Sequence, residues 1–90
     1  MRSSDVERAL VATEVFVSVL NAEDLPGWAK RFSQIAAYLR DGDVKGALHS
    51  YGNTSYGGPG SLSYIYAHDQ SAFDQAWSAC SVALRALGKA

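Results

Sequence analysis

Leu25, Trp28, Ala29, Phe32, Ile35, Ala36 and Leu39 recur at three- and four-residue steps, while Lys30, Arg31, Gln34 and Arg40 fall off that stripe. A step near 3.6 residues gathers the seven apolar side chains on one face of a helix, and such a face has to be buried against something. The flanking residues bound the helix. Asp24-Leu25-Pro26 offers a cap followed by a proline in the first turn, where a missing N–H costs nothing, and Gly42 ends the segment. Asp43 then caps a shorter helix in which Val44, Ala47, Leu48 and Tyr51 face one way, with Gly46 weakening its interior by about 1 kcal/mol. Two helices joined by so short a link pack as a hairpin.

Two further stripes flank this hairpin. Ser4 followed by Asp5, Val6 and Glu7 has the order of a capping box, which predicts a helix start. Val6, Ala9, Leu10, Thr13, Phe16, Val17 and Leu20 form its main stripe, and Val11, Val15 and Val19 lie on roughly the opposite side. A helix apolar on two faces is either sandwiched between neighbours or shows its second stripe to another chain, and both readings stand. The alternation of Val15, Val17 and Val19 also fits a strand, and Asn21 marks a stop. The last helix begins near Asp69 or Ser71; Ser71 with Asp74 three residues on resembles a capping box with a shorter acid. Phe73, Ala76, Trp77, Cys80, Ala83, Leu84 and Leu87 form its stripe, and Gly88 is a natural terminator.

Ninety residues make a single domain, 1–90, since a second core would need roughly 50 residues of its own. The expected fold is mainly α: a compact bundle of about four helices, with a Gly-rich turn and a short Tyr-rich element before the last helix. Eight basic against nine acidic residues leave no basic excess to neutralise phosphates, which disfavours nucleic acid as a partner. The lone Cys80 cannot form an internal disulfide, and its place in the stripe reads as a small buried hydrophobe. Charges at Asp5, Glu7 and Arg8 interrupt any leader-like start, and no stretch approaches the roughly 20 apolar residues of a membrane span. A cytoplasmic protein away from the membrane is expected, so the sequon Asn53-Thr54-Ser55 is taken as a chance match.

Between Lys45 and Asp69 there is no Asp, Glu, Lys or Arg, and four of the five tyrosines fall in that interval. A disordered linker carries charge and lacks aromatics, so an ordered segment is expected, with tyrosine rings that either cover the core or form an interface. Gly57, Gly58, Pro59, Gly60 and Ser61 form its turn. Gly52 and Gly57 have the first spacing of a phosphate-binding P-loop, but Gly58 and Pro59 stand where Lys and Ser or Thr are needed. Ser63 stands where the third glycine of a dinucleotide fingerprint belongs. What remains is conformational: the glycines permit positive φ while Pro59 stiffens the bend. Beyond it, Ser61 caps a short helix through Tyr66, or Leu62, Tyr64 and Tyr66 line a short strand; the pattern fits both.

The stretch Tyr56-Gly57-Gly58-Pro59-Gly60-Ser61-Leu62 resembles a family of small uncharacterised bacterial proteins marked by Tyr/Phe-Gly-Gly-Met-Gly-Ser-Leu-Asn-Asp. Trp28 and the Arg40-Asp41-Gly42-Asp43 turn fit the upstream pattern of that family; Pro59 replaces its Met, and Ser63-Tyr64 replaces its Asn-Asp. The resemblance implies a small cytosolic bacterial protein, of a kind often encoded beside toxin domains as their immunity partners.

Catalytic and metal-binding constellations are weak. His49, His68 and Cys80 lack a second residue at ligand spacing, and no base or orienting carboxylate is singled out for Ser50, Ser61 or Cys80. No cofactor is expected. The leading expectation is a non-catalytic inhibitor that covers a cognate toxin, such as a basic nuclease, with Tyr51, Tyr56, Tyr64, Tyr66 and His68 as contacts and the acids Glu23, Asp24, Asp41, Asp43 and Asp69 at hand. Asp41 and Asp43 also read as helix punctuation. The alternatives are a homodimer seamed by Val11, Val15 and Val19, and a ligand pocket lined by Tyr64, His49 and His68.

Overall fold

The computed structural model describes residues 4–52 and 67–89, which form four helices: α1 Ser4–Ala22, α2 Pro26–Arg40, α3 Val44–Gly52 and α4 Gln70–Lys89. Among the described residues there is no strand, so the alternation of Val15, Val17 and Val19 yields to the longer helical pattern around it. The Gly57–Ser61 turn and Tyr56, Leu62, Tyr64 and Tyr66 lie outside the described residues.

Each short connection is built from local hydrogen bonds. At the end of α1, Asp24 N–H donates to the Asn21 carbonyl (3.1 Å) and Leu25 N–H to that of Leu20 (2.9 Å), a Schellman closure that satisfies two otherwise orphaned carbonyls. The residue at its turning point needs a positive φ, and Asp24 supplies it at 59°. Asp24 therefore does not cap α2: the N-cap is Leu25, without a side-chain hydrogen bond, and Pro26 follows in the first turn. So few residues link the helices that the one reversing the chain cannot also head the next. A short polar side chain tolerates the left-handed region better than most, yet at a cost of about 1 kcal/mol relative to glycine. Asp24→Gly is accordingly expected to raise stability by about 1 kcal/mol, read as a higher midpoint in urea unfolding.

The same closure recurs after α2, now with glycine in its preferred place. Gly42 (φ 79°) donates to the Leu39 carbonyl and Asp43 N–H to that of Tyr38 at 2.8 Å. Asp43 then caps α3, its Oδ1 accepting the Gly46 N–H at 2.9 Å. A Cβ on residue 46 would meet Asp43 Oδ2 at 2.6 Å and Tyr38 Cδ1 at 2.8 Å, so the glycine that costs helix propensity makes room for the cap beside it. At α4 the cap is Asp69, whose Oδ1 accepts from Ala72 N–H at 3.1 Å. Ser71 falls inside the first turn, and Asp74 takes its hydrogen bond from Gln70 Nε2 (2.8 Å), so no Ser71–Asp74 box starts the helix. Nor does Gly88 terminate it; its φ is not positive, and α4 runs on through Lys89.

α1 packs against α2 on one side and α4 on the other, and α3 rests on α2 and α4. Phe16, fully buried, stands at the centre, with ring centroids 4.9 Å from Phe32 and 5.5 Å from Phe73, both edge-on, and 5.4 Å from Trp77. Thr13, one turn before it, donates its hydroxyl to the Ala9 carbonyl (2.7 Å) and lies 3.5 Å from Cys80 Sγ. Contacts of Thr13 with Cys80 and of Phe16 with Phe73 and Trp77 run α1 and α4 antiparallel. No described helix is long and apolar enough to cross a membrane.

Candidate protein interface

Successive residues of a helix turn by about 100°, so with Phe16 and Leu20 in the core, Val11 and Val15 point away from it. They are 57% and 50% exposed. Each four-residue step also turns by about 40°, which carries Val19 toward α4 and leaves it partly buried against the core. Of the three valines in the second stripe, the structure thus leaves two at the surface and draws the third inward.

α4 supplies the other half of this face. Ala76 and Ala79 on its flank toward α1 are too small to fill the space beside the valines, and a groove of about 550 Å³ results, lined by Glu7, Arg8, Val11, Ala12, Val15, Ala76 and Ala79. One turn on, Val82 is 63% exposed. Charge is confined to one end, at Glu7 and Arg8. Glu14, the only charged residue of α1 beyond Arg8, turns toward α2 and pairs with Arg40 at 3.1 Å. Single exposed valines are ordinary; here two line a groove that is charged only at one end, and a third lies one turn along α4 from Ala79. The α4 stripe names Ala76 but not Val82 or Ala79, because a stripe names the residues facing inward. Their signal is an apolar residue on the outward side of α4, where a surface helix carries charge.

The tyrosine and acid sites take other places. Tyr51 is half-buried, its ring 6.5 Å from that of Trp77 and its hydroxyl 3.1 Å from Ser81 Oγ, so it fastens α3 to α4. Asp41 closes α2 and Asp43 caps α3, at the end of the bundle opposite Glu23, Asp24, His68 and Asp69, about 22 Å away along the 15 residues of α2. The acids do not converge. His49 is exposed in the last turn of α3 and His68 is exposed in the turn before α4. Among the described residues no group of three or more His, Cys, Asp or Glu side chains is placed to hold a metal ion.

Glu23 has a separate structural task. Its Oε1 accepts the His68 N–H at 2.6 Å and its Oε2 the Asp69 N–H at 3.1 Å, so one carboxylate ties the end of α1 to the start of α4. These backbone donors, Asp69 first and His68 second, hold its pKa below the ordinary 4.5. A depressed carboxylate pKa stabilises the fold above the unfolded value and loses that contribution as pH falls through the folded one. Glu23→Gln is therefore expected to flatten the fall in stability below about pH 4.5 and to speed exchange of the His68 and Asp69 amide hydrogens at neutral pH, both relative to the unsubstituted chain. Unchanged exchange at these two amides would show that the carboxylate does not hold them.

No protein-family model, curated protein or solved structure matches the chain.

Proposed function

We propose that this chain works by binding another protein rather than by catalysis, and that its working surface is the α1/α4 face. The observation that carries this reading is the groove flanked by Val11 and Val15 and charged only at its Glu7–Arg8 end, with Val82 exposed one turn along α4 from Ala79. Apolar surface of this kind gains free energy when water leaves it, at roughly 25 cal/mol per Å² before the costs of association. A groove between two helices accepts a helix or an apolar ridge of a partner, laid in by side chains at three- and four-residue steps. The family resemblance at residues 56–62 supplies the kind of partner: a toxin domain encoded beside this chain, which the chain neutralises by covering it.

Co-expression with the product of the adjacent gene tests this. A complex that survives size exclusion, and that Val15→Glu disrupts while the circular dichroism stays helical, is the expected result. A neighbouring protein that elutes alone at micromolar concentrations of both, with its activity unaltered, would remove the reading.

A further inference from the structure

Resting on that reading of the α1/α4 face, we infer that a second copy of this chain occupies the face in the free protein, so that partner binding is an exchange of one protein for another. Two features of the face point to its own duplicate. The first is shape. Val11 and Val15 form a ridge of four-residue spacing directly beside the trough over Ala12, Ala76 and Ala79. A two-fold axis can therefore lay the ridge of each copy into the trough of the other, as an isologous interface requires.

The second feature is charge. Identical surfaces bring like charge to like charge unless they are neutral or carry both signs side by side, and like charges across an interface cost several kcal/mol. Asp74 and Arg85 lie on the flank of α4 away from α1; the outward face of α1 beyond Arg8 carries Val11, Val15, Ser18 and Ala22, and the exposed flank of α4 toward α1 carries Gln75, Ala79, Val82 and Ala86. None is charged, and the one charged end has an acid and a base adjacent, Glu7 and Arg8. A partner chosen by electrostatics would call for a signed surface here. Size agrees as well: a standard interface takes about 800 Å² from each partner, roughly one seventh of this chain's 5486 Å², which a face spanning two of the four helices can supply.

The experiment is sedimentation equilibrium on the full chain from about 1 to about 300 µM, roughly two and a half decades, with Val15→Glu and Val82→Glu as variants. The unsubstituted chain is expected at twice the monomer mass, and either glutamate is expected to weaken association by about a hundredfold. Helical circular dichroism confirms that the variants fold. A monomer throughout the range, or a dimer that neither glutamate weakens, overturns the inference. If the chain is monomeric yet Val15→Glu abolishes the complex with the adjacent gene's product, the dimer fails and the binding face stands; if the glutamates change neither, both fail.

Discussion

Phe16→Ala is expected to remove about 3–5 kcal/mol of stability, the range for truncating a fully buried phenylalanine, and to leave little folded protein at 37 °C. A chain of 90 residues has about 5–13 kcal/mol in all, so one ring accounts for a large share. The reason is position. Phe16 sits on the helix between α2 and α4 and touches Phe32 on one and Phe73 and Trp77 on the other, so its removal opens a cavity shared by three helices. Such a site cannot collapse by moving one neighbour. Phe16→Leu, which keeps most of the volume, is expected to cost less than half as much in urea unfolding. A loss below about 1 kcal/mol for the alanine variant would show that the three helices do not depend on this contact.

Raising the pH above 9 is expected to unload a second buried group. Cys80 is fully buried, and desolvation of its thiolate lifts the thiol from 9.0 to about 11, partly opposed by the hydrogen bond with Thr13. The folded state then favours the neutral thiol. Its contribution is complete below the unfolded value near 9 and is lost as pH rises through the folded value, amounting to about 2–3 kcal/mol for two units. The difference between the unsubstituted chain and Cys80→Ala in denaturant midpoint isolates this group from the tyrosines and lysines, and it is expected to narrow from pH 8.5 to 11. Thiol labelling at pH 8 offers a second readout: a thiolate fraction about a hundredfold smaller than in the unfolded chain, behind closed packing, makes native labelling at least about a hundredfold slower. A rate near that of the unfolded chain would place Cys80 at the surface.

Much of this architecture is legible in the residues themselves. Gly42 and Asp43 announce the α2–α3 turn because a left-handed glycine and a capping carboxylate are local devices, complete within six residues. The apolar stripe of α4 likewise names its core residues, Phe73 through Leu87. Asp24 misleads for a physical reason: aspartate is favoured both as a helix cap and, after asparagine and glycine, in the left-handed region, and only the direction of the chain after α1 selects between the two. Tyr51 reads two ways for a similar reason. A phenol is at home at an interface or half inside a core, and the presence of Ser81 on a neighbouring helix assigns its hydroxyl an internal partner.

The four described helices, their approximate ends and the inward stripes that fill the core were set by the sequence alone, since each depends on 3.6-residue spacing and on hydrogen bonds between near neighbours. Tertiary structure decided how the second stripe of α1 divides, with Val19 drawn inward and Val11 and Val15 left at the surface, how Glu23 comes to hold amides 45 and 46 residues away, and where the alanines of α4 leave a trough beside Val11 and Val15. Those features exist only when helices distant in the chain lie side by side, and no local pattern specifies which neighbour a helix face will meet.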